Sequence, residues 1–174
     1  DIIMVKDLNL GVVVLTNTSE MAPFLLNFKI LEQVLNDKSL NKYAFWKKNR
    51  DNDIIQKKDA LKKAETQRIK NTKPTLNLDQ YAGKYHDKMY GDIYIKQLND
   101  GTLEINFSHT PLFSGKLKHW HYDTFMIDWQ DYRMPNGFLT FNFNKNGAVV
   151  GIKLDQQSLL DVDFDELDIK RLEN

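Results

Sequence analysis

His119 and His121, two residues apart, are the side chains in this sequence best spaced for chemistry. On a β-strand, residues i and i+2 share a face, so two imidazoles there could ligate one metal ion. A third ligand would come from another strand, with His86, His109 and Asp123 as candidates. The surrounding string, His119-Trp120-His121-Tyr122-Asp123-Thr124-Phe125, has a plainer reading as packing and hydrogen bonding around Trp120 and Tyr122. That reading is preferred, and no metal, cofactor or catalytic residue is assigned. Tyr85, Tyr90, Phe125 and Trp129 join His119, Trp120, His121 and Tyr122 in one signature that either lines a ligand pocket or packs a core. Aromatics at strand period fill cores by default. Asp161, Asp163, Asp165, Glu166 and Asp168 alternate carboxylates as a calcium loop does. They lack the central glycine and the spaced glutamate of an EF-hand, so an acidic turn and a polar strand face explain them better.

The elements that must position these residues belong to a chain of 174 residues with no cysteine, 24 basic and 24 acidic side chains. A disulfide scaffold and a thiolate metal site are excluded. No apolar run reaches the ~18 residues of a spanning helix. The neutral total argues against a nucleic-acid partner. It is not evenly spread, however. Lys38 to Lys73 holds twelve basic and four acidic residues, a surplus of eight positive charges that the rest of the chain balances. Such a separation favours docking between parts of the chain or between copies. A polyanion or anionic-membrane contact is the sharper reading of the basic segment, and a solvated linker helix the favoured one.

Three regions follow. In residues 1–37, Asp1 to Lys6 and Leu10 to Asn17 read as a β-hairpin around Asp7-Leu8-Asn9. The second run is continuously apolar, which predicts burial on both faces. Thr18-Ser19-Glu20 supply caps and Pro23 a first turn for a helix with Phe24, Leu25, Phe28, Leu31, Val34 and Leu35 inward, ending near Asn36-Asp37. In residues 38–73, an aromatic knot (Tyr43, Phe45, Trp46) precedes a basic helix that Asp51 or Asp53 would cap. In residues 74–174 the period becomes two. Strands are expected at Tyr81–His86, Asp92–Leu98, Leu103–Phe107, Phe113–Tyr122, Thr124–Trp129, Phe138–Asn144, Ala148–Asp155 and Val162–Arg171, with Asp100-Gly101 and Asn146-Gly147 as turns. The chain is therefore mainly β with a helical N-terminal part: a roughly eight-stranded antiparallel β-barrel preceded by a β-hairpin, a helix and a basic helical linker. Its interior either holds a small ligand or is filled by side chains.

Tyr81-Ala82-Gly83-Lys84-Tyr85, Tyr90-Gly91-Asp92 and the His119–Phe125 string resemble the lipocalin-like C-terminal domain appended to many serine β-lactamase-related (penicillin-binding-protein-like) hydrolases. Lys73-Pro74 with Leu76, Leu78 and Tyr81 fits that domain's start, and the resemblance spans residues 73–172. Residues 1–37 are similar to the terminal strands and helix of the catalytic domain in the same proteins. The resemblance implies a C-terminal piece of a longer bacterial hydrolase, exported to the periplasm or cell surface. It also implies an accessory domain that shapes active-site access, binds substrate or mediates oligomerisation. Its expected partners are the parent's catalytic domain, a second copy, or a small-molecule ligand. The family's chemistry uses a Ser-x-x-Lys nucleophile, a Tyr-x-Asn or Ser-x-Asn element and a Lys-Thr-Gly or His-x-Gly strand. Only Ser39-Leu40-Asn41-Lys42 matches formally, in a polar linker where the family has no nucleophile, and it reads as chance.

Overall fold

The computed structural model describes residues 1–17, 21–156 and 163–172. The chain divides into two compact units, Asp1–Gln67 and Arg68–Asn174.

In the first unit, β1 (Ile2–Val5) and β2 (Leu10–Val13) form an antiparallel two-stranded sheet. A 3-10 turn over Lys6–Leu8 joins them, closed by Asn9 in the left-handed region. The apolar run of β2 is not buried on both faces. Val12 is buried, but Val13 beside Ile2 on the other face is 59% exposed. Two strands flanked by one helix have a covering layer on one side only. That helix, α1 (Ala22–Leu35), carries Pro23 in its first turn and ends on Asn36 at φ 49°. The cap expected from Thr18, Ser19 and Glu20 lies outside the described residues. Its buried side chains are Asn27, Leu31 and Glu32, whereas Val34, expected inward, is 56% exposed. Asn27 Nδ2 donates to Asp1 at 2.7 Å, and Glu32 accepts from Lys29 at 2.8 Å. Helix α2 (Tyr43–Gln67) starts at the aromatic knot rather than after it. Just before it, the Asn41 side-chain oxygen accepts the Tyr43 N–H at 3.2 Å, a local bond between residues two apart. Asp51 thus lies within the helix, pairing with Lys47 at 2.9 Å. Among the described residues no helix is long and apolar enough to cross a membrane.

The first element of the second unit is a one-turn helix, α3 (Leu78–Tyr81), whose last residue, Tyr81, is the one expected to open the first strand. Gln80 Oε1 accepts the Asn77 N–H at 3.1 Å, half of a capping box. Eight strands follow: β3 (Gly83–Asp87), β4 (Gly91–Gln97), β5 (Leu103–Phe107), β6 (Ser114–His121), β7 (Thr124–Trp129), β8 (Gly137–Phe143), β9 (Val149–Asp155) and β10 (Ile169–Arg171). They close into an antiparallel barrel, each beside its neighbour in sequence, with β10 sealing β9 to β3. Closure leaves no free edge. Gly101 at φ 77° makes the expected tight turn between β4 and β5.

Inward positions alternate along every strand and form one cluster, including Tyr85, Ile93, Ile105, Phe125, Ile127, Leu139, Phe141 and Leu154. Burying each such side chain contributes about 1.5–3 kcal/mol before conformational entropy is counted. The last strand is much shorter than the expected Val162–Arg171, of which Val162 lies outside the described residues. Phe164 instead sits in a 3-10 turn and drops into the core, 5.6 Å from Phe113. Asp163, from the acidic cluster, accepts the Asp165 N–H at 3.0 Å, and Asp168 pairs with Lys170 at 2.9 Å. Asp161 lies outside the described residues.

Candidate functional site

Strands β6 and β7 meet in a two-residue turn, Tyr122-Asp123, and Tyr122 takes a left-handed backbone at φ 45°. A bulky residue there costs about 1–2 kcal/mol. The turn is held from outside the hairpin, by the segment that leads into the barrel. Thr72 Oγ1 accepts the Tyr122 N–H at 3.0 Å. Arg68 Nε donates to the Trp120 carbonyl at 3.0 Å while its guanidinium lies 4.3 Å from the indole centre. The Ile69 N–H donates to His121 Nδ1 at 3.3 Å.

Asp123 is the hub. It accepts the Thr75 N–H at 2.9 Å and the Thr75 hydroxyl at 2.7 Å. It also accepts the Tyr81 hydroxyl, which in turn takes the Leu76 N–H at 3.0 Å. Burial, then the bond to Asp123, pushes the Tyr81 phenol up to about 12. Burial alone would raise the Asp123 carboxyl. The hydrogen bonds from Tyr81 and Thr75 outweigh it and hold the group below the usual carboxylate range.

The two histidines do not present a shared face. A β-bulge between His119 and His121 breaks the alternation that the spacing argument needs. His119 Nε2 lies 2.9 Å from the Tyr122 carbonyl, which can only accept, so Nε2 carries the proton. His121 Nδ1 takes a backbone N–H and is therefore the bare nitrogen. His86 bonds Asp92 at 3.0 Å, and His109 packs against Gly91. Among the described residues no three metal-ligating side chains converge.

Of the aromatic members of the signature, Tyr85, Phe125 and Trp129 are core, whereas Tyr122 is 52% exposed. Phe125 packs 5.7 Å from Tyr81 and 5.6 Å from Phe141. Tyr85 is fully buried, donates to the Tyr81 carbonyl at 2.7 Å, and is pushed up to about 12 by burial. Trp129 donates its indole N–H to Gln156 at 2.8 Å. Tyr90 is half-buried, 6.3 Å from Phe107, and burial raises its phenol. Trp120 stands at the barrel's outer surface, 5.0 Å from Phe138. The partners lie far along the chain: Arg68, Thr72, Thr75 and Tyr81 are 42 to 52 residues from the atoms they hold, and of these only Tyr81 stands in a motif. No sequence motif marks Asp87. It is buried and ties the β3–β4 turn to the C-terminal segment, accepting N–H groups of Met89, Tyr90 and Asp168 at 2.8, 3.0 and 3.0 Å.

Arg68, Lys70, Asn71, Thr72, His119 and Trp120 enclose an open cleft of about 260 Å³ on this side of the barrel.

The profile of one protein family, described as Domain of unknown function (DUF3471), matches residues 67–171. No curated protein matches the chain. No solved structure matches it either.

Proposed function

Because the chain belongs to the DUF3471 family over the whole of its barrel, we propose that it is the non-catalytic accessory part of a serine β-lactamase-related hydrolase or peptidase. On this reading a lipocalin-like barrel follows the end of the catalytic domain through a basic helical linker, in a protein exported to the bacterial periplasm or cell surface. Its role is to shape access to the parent's active site, with no covalent step on this chain.

The observation that carries the reading is the use made of the His119–Phe125 string. The residues most specific to the resemblance clasp the barrel's own lead-in segment, through Asp123, Thr75 and Tyr81. A domain that joins a neighbour at its N-terminal end needs that end fixed to its body. The first unit adds support, because Ile2, Met4 and Val13 leave one sheet face apolar and exposed, as a sheet would that continues under further layers.

Sequencing the reading frame upstream of Asp1 tests the parentage. Ser-x-x-Lys, Tyr-x-Asn and a Lys-Thr-Gly-like strand are expected, and an unrelated upstream domain would overturn it. The purified chain is expected to be inert toward nitrocefin and simple esters. Turnover above background would refute the non-catalytic assignment.

A further inference from the structure

We propose that the cleft between residues 68–72 and the β6–β7 hairpin binds a small oxyanion, a carboxylate or phosphate group carried by a ligand of low mass. The inference concerns the barrel's own surface and does not depend on the identity of a parent enzyme.

Four observations lead there. First, the cleft holds two cations, Arg68 and Lys70. Second, neither is spent on a carboxylate: Arg68 has only the Trp120 carbonyl and the indole as partners among the described residues, and Lys70 has none. Third, the nearby acid is occupied. Asp123 turns its oxygens to Thr75 and Tyr81. Fourth, Arg68 is pre-set. Its Nε bond and its place over the Trp120 ring hold the guanidinium, and the two terminal nitrogens remain to donate. A guanidinium held this way presents the fork that matches the two oxygens of a carboxylate or phosphate. Little side-chain freedom is left to lose on binding.

Size narrows the ligand. At about 260 Å³ the cleft lies below the ~300–1,000 Å³ of sites that enclose drug-sized molecules. It suits a single anionic group with a short apolar remainder against Trp120, rather than a lipid or a polyanion strand.

The test follows the Arg68 Nε–H and the Trp120 indole N–H by ¹H–¹⁵N NMR on the full chain. Sodium phosphate and sodium succinate are titrated at constant ionic strength, with sodium chloride as the reference. Saturable shifts at both groups are expected with phosphate, succinate or both, with Kd on the order of millimolar. A response to phosphate alone assigns a phosphate-bearing ligand, and to succinate alone a carboxylate. Lys70→Gln removes an exposed charge with no partner among the described residues and should weaken binding roughly fivefold without moving Tm. Arg68→Lys keeps the charge, loses the fork, and should weaken it further. Linear shifts equal to those in chloride would overturn the proposal, as would unchanged affinity in Lys70→Gln and Arg68→Lys together.

Discussion

Asp123 gathers the barrel's lead-in segment and the start of β7 onto one side chain. It is partly buried, carries a charge, and is held by three hydrogen bonds from two residues. Replacing it with Asn keeps the shape but turns one acceptor into a donor, facing either the Thr75 hydroxyl or the Tyr81 hydroxyl together with the Thr75 N–H. The expected loss is about 1 kcal/mol, the lower end of the cost of a mispaired polar group, because Asp123 is only partly buried. The pH dependence has a definite sign. The folded carboxyl sits below its ordinary value of 3.8, so its contribution is complete above that value and is lost as pH falls through the folded pKa. Urea midpoints at pH 7 and pH 3 should differ more for the wild type than for Asp123→Asn. Equal midpoints for the two proteins at pH 7 would remove Asp123 from this role. At this scale the sequence displays the hub and hides its spokes. Asp123 stands in a recognisable string, while Thr75 and Arg68 are unremarkable residues brought to it only by closure of the barrel. The shared face of His119 and His121 failed for a related reason: a bulge at Trp120 inserts one residue, and no residue type announces it.

Strand β10 is only three residues long, yet it closes the barrel. Its backbone pairs with β3 at two positions, with one more bond from the Leu172 N–H to the Lys84 carbonyl at 2.9 Å, and a side chain adds to this short seam. Arg171 does this, donating to the carbonyls of Gln80 at 2.8 Å and Ala82 at 2.7 Å while its guanidinium covers Gly83. A Cβ at Gly83 would come within 3.1 Å of that guanidinium, so the glycine makes room for the arginine. Arg171→Ala should cost about 1.5–3 kcal/mol, the range for hydrogen bonds to a charged group. Amide exchange should rise first in β10 and β3. Protection lost evenly over all eight strands would argue against a local seam. Most of the barrel's elements are legible because their signals are local: Asp100-Gly101 and Asn146-Gly147 force turns, and alternation marks the strands between. The elements read less well are those whose cause lies elsewhere. Four residues are too few to show helical period at α3, though Asn77 and Gln80 at capping-box spacing were the available clue. The run Leu10–Leu15 is equally apolar whether one face is covered or two, and composition cannot report which.

Across the whole chain, apolar burial is unevenly divided. In the first unit the buried apolar side chains among those described are Val12 and Leu31, whereas the second unit buries a continuous cluster from Tyr81 to Ile169. The formal charge of zero conceals a second division, with other boundaries. The basic surplus lies on Lys38–Lys73, and the acidic surplus on the segments either side of it. Helix α2, rich in Lys and Arg on mostly exposed positions, should open locally far more often than the barrel unfolds. Cleavage of such a segment follows its local opening free energy, not the global stability. Brief trypsin treatment is therefore expected to cut within residues 38–67 and leave a resistant fragment beginning near Arg68. By circular dichroism that fragment should keep its β signal and melt within about 4 °C of the intact chain's main transition, the shift that roughly 1 kcal/mol produces in a domain of this size. Intact mass spectrometry of the digest identifies the first cut. Initial cleavage inside β3–β10, or a fragment that no longer folds, would show that the barrel draws its stability from the residues before it.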